Sequence, residues 1–197
     1  MAASSSPRRA EILRNAGFTF EVQPAHVDET PLPGERADDY VRRLADSKAR
    51  ATAQSVNRGT GRAVVIGADT VVVVDGQILG KPADTDDARR MLRLLNGRDH
   101  DVLTGLSFIS IPGREEATLV ESTRVSFLPL SAKDIDDYLL TGEPFDKAGA
   151  YGIQGIGGRF IRRVEGCYFN VMGLPLSRVW SIVGRMEEEQ QKNSAAG

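Results

Sequence analysis

Ala63-Val64-Val65-Ile66-Gly67-Ala68-Asp69-Thr70-Val71-Val72-Val73-Val74 is the stretch on which the fold turns. An apolar, β-branched run of this kind reads as a buried strand. Outward from it, further strands are expected at 18–22, 102–111, 118–129 and 150–164, separated by segments of helical period. Helices are expected at 7–16, where Ser6 can cap and Gly17 can close, and at 36–56, with Val41, Leu44, Lys48 and Ala51 at three- and four-residue spacing. A third, at 84–95, ends at Asn96-Gly97. Ser131-Ala132-Lys133-Asp134 opens a fourth like a capping box, with Gly142 ending it. The last, at 176–186, has Val179, Trp180 and Val183 expected to face inward.

Strands alternating with helices imply an α/β fold: a mixed twisted sheet with flanking helices, in two lobes around a central cleft. No linker or repeat divides the chain, so residues 1–186 read as a single domain. Residues 187–197 form a polar tail expected to fray.

With 197 residues, 41% hydrophobic and 26% charged, the chain has the composition of a globular domain with a substantial core. No apolar stretch approaches the roughly 20 residues of a membrane helix, and Met1 is not followed by a basic segment and an apolar run. Membrane association and export are therefore not expected. The lone Cys167 excludes an intrachain disulfide and suits a reducing cytoplasm. A net charge of −2 from 25 basic and 27 acidic side chains gives no field to recruit nucleic acid, so phosphate chemistry must come from local clusters. A homodimer is left open.

Several segments carry such clusters. Ser4-Ser5-Ser6-Pro7-Arg8-Arg9 places hydroxyls and two guanidinium groups at a helix start, a natural anion site, although an ordinary capped helix explains it as well. Asp69, set in its apolar run, and Glu29, beyond the first strand, are carboxylates where α/β folds hold ligands; turn or surface acids are the plainer alternatives. Lys48 falls on the apolar stripe of its helix, so it either snorkels or points into a cleft. Lys81, between Gly80 and Pro82, sits in a rigid loop suited to a phosphate-directed charge. The segment from Thr141 to Gly155 is the densest: glycines 142, 149, 152 and 155 allow close backbone approach, and Asp146, Lys147 and Gln154 supply an acid, a base and an amide. A structural glycine turn is the alternative. His26 and His100 are isolated, which removes support for a zinc site or catalytic triad.

In order along the chain, Ala3-Ser4-Ser5-Ser6-Pro7-Arg8-Arg9, Gly67-Ala68-Asp69-Thr70-Val71, Gly80-Lys81-Pro82, the segment from Gly142 to Gly155 and Val171-Met172-Gly173-Leu174-Pro175-Leu176 closely resemble the Maf family. The resemblance implies a nucleoside triphosphate pyrophosphatase with a cleft α/β fold and a divalent metal requirement (Mg, Mn or Co), of a family first named for inhibiting septum formation. It places Ser4, Arg8, Arg9, Lys48 and Lys81 on substrate and phosphate-binding positions, Glu29 and Asp69 on the metal, and Asp69 on the general base. Arg8, Thr70 and Gln154 fall on positions tied to substrate choice. The ending Tyr151-Gly152-Ile153-Gln154-Gly155 is similar to the branch acting on dTTP and UTP and differs from the 7-methyl-GTP branch. One departure is that only Met1 and Ala2 precede Ala3, where the family usually carries a short apolar strand, which leaves two alternatives, a start placed elsewhere or a weakened sheet edge.

The implied chemistry is attack of a water, deprotonated with help from Asp69, on the α-phosphorus, with the cations neutralising the pyrophosphate leaving group. Two alternatives stand beside it. One is a purine-directed or 7-methyl-GTP-directed house-cleaning pyrophosphatase. The other is a non-catalytic nucleotide-binding regulator of septum formation, against which the retained acids and bases argue.

Overall fold

In the computed structural model, residues 2–3, 6–56, 61–112 and 115–195 are described. Among them a seven-stranded mixed sheet is ordered β2-β1-β3-β5-β6-β7, with β4 paired to β3 off that path. The strands are β1 (Ala2–Ala3), β2 (Glu21–Val22), β3 (Ala63–Val74), β4 (Gln77–Leu79), β5 (Asp99–Ile111), β6 (Glu116–Phe127) and β7 (Ile161–Glu165). β1 runs parallel to both β2 and β3, whereas β3–β4 and β6–β7 are antiparallel. The two-residue β1 thus lies inside the sheet order rather than at its edge.

Six α-helices accompany the described strands: α1 (Pro7–Asn15), α2 (Ala37–Ser55), α3 (Thr85–Leu95), α4 (Ala132–Leu139), α5 (Tyr168–Val171) and α6 (Leu176–Ala195). Their ends follow local chemistry. Asp84 caps α3 by accepting from the Asp87 N–H, and Ser131 with Asp134 forms the expected capping box on α4. Ser6 stands at the N-cap of α1 without a side-chain capping bond, and Pro7 supplies the pre-set first turn.

Backbone proximity groups the chain into two units. The first comprises Met1–Asp69, Thr104–Glu121 and Gly173–Gly197, the second Thr70–Leu103 and Ser122–Met172. In the first, Leu13, Val41, Leu44, Val65, Phe108 and Val179 are among the fully buried core side chains. Helix α2 touches the sheet there at backbone distance. A Cβ on Gly67 would fall 2.1 Å from the Ala45 carbonyl oxygen and 2.6 Å from the Ala49 nitrogen, and one on Gly105 would fall 2.1 Å from the Val41 carbonyl oxygen. Only glycine permits this approach at either strand position. In the second unit, Leu92, Leu95, Val125, Phe127, Tyr138 and Phe160 belong to one continuous core.

Three expectations need correction. The strand expected over 150–164 is β7 alone, because residues 143–160 coil into three short 3-10 turns, the last of which places its Ile156 and Gly157 N–H groups on the Glu143 side chain. The tail expected to fray is helical to Ala195: Val179, Val183, Met186 and Gln190 recur on one buried stripe, and Gln190 Nε2 donates to Ser110 Oγ at 2.7 Å. Trp180, one position off that stripe, is 69% exposed rather than inward, with its ring edge-to-face against Phe18. Beyond the expected strands, the structure adds the hairpin β3–β4, turned by Asp75 and Gly76 at positive φ, for which the Asp-Gly pair is a legible signal.

Candidate active site

Asp69 is the seventh residue of β3, mid-strand rather than at a strand end. It is two residues past Gly67 and so shares the face that meets α2. Lys48 is on that helix, three residues past Ala45, which abuts Gly67. The close helix–strand contact therefore determines the pairing: Lys48 Nζ donates to Asp69 Oδ1 at 2.6 Å. The same ammonium lies 2.6 Å from Glu29 Oε1. One lysine thus bridges two acids, its side chain and that of Asp69 nearly buried and that of Glu29 open to solvent.

Arg9, on the first turn of α1, completes the cluster. Its Nε donates to the Gly173 carbonyl at 2.6 Å and its Nη1 to the Ala68 carbonyl at 2.9 Å, which anchors the guanidinium beside Asp69. Burial pulls the Arg9 pKa down, opposed by the charges of Asp69 and Glu29, while neighbouring Arg8 adds to the lowering. Asp69 is displaced in the opposite sense. Burial raises its carboxyl above the ordinary value, and Lys48 and Arg9 offset only part of that. A carboxylate destabilised by burial and kept ionised by an adjacent ammonium is a recognisable way to make a base.

The loop carrying Glu29 is fastened to α2 by residues that the sequence analysis does not single out. Tyr40 donates its hydroxyl to the Glu29 carbonyl at 2.8 Å. Arg43 forks onto both oxygens of Glu35 at 2.6 and 2.7 Å, and its Nη2 also reaches the Thr30 carbonyl. Glu35 Oε2 in turn accepts from the Leu32 N–H. The Arg43 hydrogen bonds, against an opposing burial effect, hold the Glu35 carboxyl down at about 2. A signal was available: Tyr40 and Arg43 lie three residues apart, and Tyr40 and Lys48 eight, a spacing that lines one side of a helix.

Ser4 lies outside the described residues. Arg8 is half-buried on α1, and the structure brings Arg9, Glu29, Lys48 and Asp69 together in the first unit. Thr70, Lys81 and Gln154 belong to the second unit. Lys81 is exposed, and its loop is tied to the glycine-rich segment by the Gly149 N–H donating to the Gly80 carbonyl. Gln154 is exposed at a turn. Glycines 152 and 155 approach not open space but their own neighbours. A Cβ on Gly155 would fall 2.3 Å from Glu143 Oε2, and one on Gly152 would fall 2.7 Å from Lys147 Cε. Lys147 directs its ammonium to Asp146 Oδ1 and the Glu143 carbonyl. For Asp146, Lys147, Gly152 and Gly155 the structural turn is the better reading. His100 is a core residue: its Nε2 meets the Tyr151 hydroxyl at 2.8 Å, and burial pushes its pKa down to about 4.

Among the described residues no group of three His, Cys, Asp or Glu side chains could by itself hold a metal. Glu29 and Asp69 nevertheless form a hard oxygen pair converging on one cation, and one or two carboxylates joined by substrate phosphates is how Mg²⁺ is usually held. The donor set fits a divalent ion of that type. No described helix is long and apolar enough to cross a membrane.

A family profile described as Maf-like protein matches residues 1–186. The chain is 49% identical over 183 residues to a dTTP/UTP pyrophosphatase of Koribacter versatilis, covering 93% of this chain and 92% of that one. It is 49% identical over 186 residues to one of an Anaeromyxobacter species, covering 93% and 87%. It is 52% identical over 177 residues to one of Photobacterium profundum, covering 88% and 89%.

Proposed function

The chain belongs to the Maf-like protein family, and from that premise we infer that it is a nucleoside triphosphate pyrophosphatase hydrolysing dTTP and UTP to the nucleoside monophosphate and pyrophosphate. The observation that carries this reading is the near-full-length identity of about half to relatives named for that activity. Hydrolysis joins a water oxygen to the α-phosphorus and breaks that phosphorus's bond to the oxygen bridging the β-phosphate. Pyrophosphate departs with the bridging oxygen, and the water's proton goes to Asp69.

The residue roles follow from charge. Asp69 takes the proton, and its burial-raised basicity supports this assignment. Lys48 keeps Asp69 ionised and is placed to turn toward phosphate oxygens. Arg9, with Arg8, Lys81 and Ser4, neutralises a triphosphate of about four negative charges. Glu29 and Asp69 would hold a divalent cation, which when bound supplies further positive charge to the phosphate oxygens. Gln154, with Thr70, reads the base: the uracil or thymine edge offers O2, N3–H and O4, which one amide can meet with a donor and an acceptor. A cytoplasmic site of action suits the single cysteine and the nucleotide substrate.

A panel of dTTP, UTP, 7-methyl-GTP and ITP with released pyrophosphate as readout tests the reading. The expected order places dTTP and UTP first. Preference for ITP or 7-methyl-GTP would transfer the chain to the purine-directed alternative, and absence of turnover on all four would leave only the regulator.

A further inference from the structure

We propose that Glu143 is a positioning residue for pyrimidine selectivity, clamping the glycine-rich turn so that Gln154 is presented in one orientation. This rests on the reading of Gln154 as the base-recognising amide and goes beyond it by naming what holds that amide in place.

The clamp is built from both sides of Gln154. On the C-terminal side, Glu143 Oε2 accepts from the Ile156 N–H at 2.7 Å and Oε1 from the Gly157 N–H at 3.1 Å. On the N-terminal side, the Gly152 N–H donates to the Tyr138 hydroxyl at 3.1 Å, and that hydroxyl donates to Glu143 Oε1 at 2.8 Å. The residues flanking Gln154 are thereby fastened to one carboxylate, directly or through one phenol. The main chain of Glu143 is itself anchored: Lys147 Nζ donates to the Glu143 carbonyl at 2.8 Å, and the Glu143 N–H donates to Thr141 Oγ1.

Sequence and geometry agree on the purpose of the glycines. A Cβ would fall 2.3 Å from Glu143 Oε2 at Gly155 and 2.6 Å from the Tyr138 hydroxyl oxygen at Gly157. Side chains there would push the turn off the acid. Burial acts to raise the Glu143 carboxyl, but the Gly157, Tyr138 and Ile156 hydrogen bonds and the Lys147 charge outweigh it and hold the group below its ordinary value. The clamp is therefore charged at neutral pH, and hydrogen bonds to a charged acceptor are roughly twice as strong as neutral ones.

Such a clamp matters because an amide selects a base only if its donor and acceptor are both correctly aimed. Gln154 is exposed on a turn between Ile153 and Gly155, so its aim depends on how the backbone of that turn is held. A displacement of about 1 Å costs on the order of 100-fold where geometry is part of the recognition. Glu143 makes no claim on the substrate itself; its effect passes through the loop.

The test compares Glu143→Gln, Tyr138→Phe, Gln154→Ala and the Glu143→Gln/Gln154→Ala double variant, reading kcat/KM for dTTP, UTP and GTP. Glu143→Gln keeps size but turns one acceptor into a donor facing N–H groups. Tyr138→Phe removes the bridge while leaving a phenyl ring in the core. Both should lower dTTP and UTP turnover by about 5- to 150-fold, the factor expected for losing a hydrogen bond to a polar edge, with much less change for GTP. The double variant should be no worse than Gln154→Ala alone. If Gln154→Ala loses selectivity while Glu143→Gln and Tyr138→Phe keep it and merely melt earlier, the clamp is only structural and this proposal falls. If Gln154→Ala leaves selectivity intact, the base-reading role of Gln154 fails, and the proposal fails with it.

Discussion

Asp69 and Glu143 are both partly buried carboxylates next to a lysine, and they are treated in opposite ways. Glu143 is met by three donors, two of them backbone N–H groups that cannot leave without unfolding the turn. Asp69 is met by an ammonium that it shares with Glu29, on a flexible stem that can turn elsewhere. Burial dominates at Asp69 and raises its carboxyl, whereas at Glu143 the donors overcome burial and lower it. A group whose polar demands are closed internally holds shape; one whose demands are met by exchangeable charge is open to a substrate. The charge cluster of the first unit is chemistry in this sense, and the Glu143 clamp of the second is architecture.

Removing the charge at Asp69 is the strongest way to break that contrast. Asp69→Asn should lower kcat by at least about 100-fold, the lower end for a positioned acid–base group. It should not destabilise the fold. Because the folded-state value is raised above 3.8, the stability Asp69 contributes is complete below that value and is lost as the pH rises through the folded one. At neutral pH the ionised carboxylate therefore costs stability, so the variant should melt at or above the wild-type temperature, by a margin that widens from pH 4 upward. A variant that melts earlier at neutral pH would make Asp69 a structural acid like Glu143.

Gly67→Ala tests whether the cluster depends on backbone contact. A Cβ facing the Ala45 carbonyl at 2.1 Å must push α2 from β3. Overpacking of this kind costs about 1–3 kcal/mol, and the Lys48–Asp69 pair should open, so that turnover of every nucleotide falls by a common factor of about tenfold or more. Calorimetry with the nucleotide panel checks both. Unchanged turnover in a destabilised protein would mean that Lys48 reaches Asp69 without this contact.

Glu143→Ala should show the opposite pH signature to Asp69→Asn. The stability due to Glu143 is present above its ordinary value of 4.5 and is lost as the pH falls through the lowered folded value. Leaving two N–H groups and a buried hydroxyl short of an acceptor should cost about 1–3 kcal/mol at neutral pH. Melting curves should converge on wild type in acid. A gap that stays constant with pH would assign the loss to packing instead of to the charged acceptor.

The same contrast explains what could be read from the chain. β3 was legible to the residue because a continuous β-branched run has one sensible reading, α3 was legible from its helical period and its Asn96-Gly97 end, and α4 from Ser131 and Asp134 at its cap. Lys48 and Asp69 could each be flagged as a charge in apolar company. Their pairing could not, because it depends on Gly67 and Gly105 admitting α2 to backbone contact with the sheet, a fact about three dimensions. The segment over 150–164 resists a sequence reading because its apolar and aromatic residues look strand-like, while the acid that coils it, Glu143, stands well upstream.

Gln190 gives the smallest effect and the cleanest separation of shape from chemistry. The polar residues after Met186 look unable to bury a face, yet they continue α6, and a position four residues on returns to the buried stripe. There Gln190 Nε2 donates to Ser110 Oγ at 2.7 Å, to the Ile111 carbonyl at 3.2 Å and to the Ala63 carbonyl at 3.4 Å. It is thus a closed group like Glu143, but it lies on no loop that carries a proposed site residue. Gln190→Ala should cost about 1–2 kcal/mol, a fall of roughly 2–8 °C in Tm for a chain of this size. Its kcat/KM for dTTP should stay at the wild-type value. Truncation after Met186 should melt at least as early, since it removes the amide along with the last turns of helix. A truncated chain with unchanged Tm would mean that the tail frays after all, and an activity loss in Gln190→Ala without a Tm change would mean that a polar group closed within the fold can still govern the chemistry.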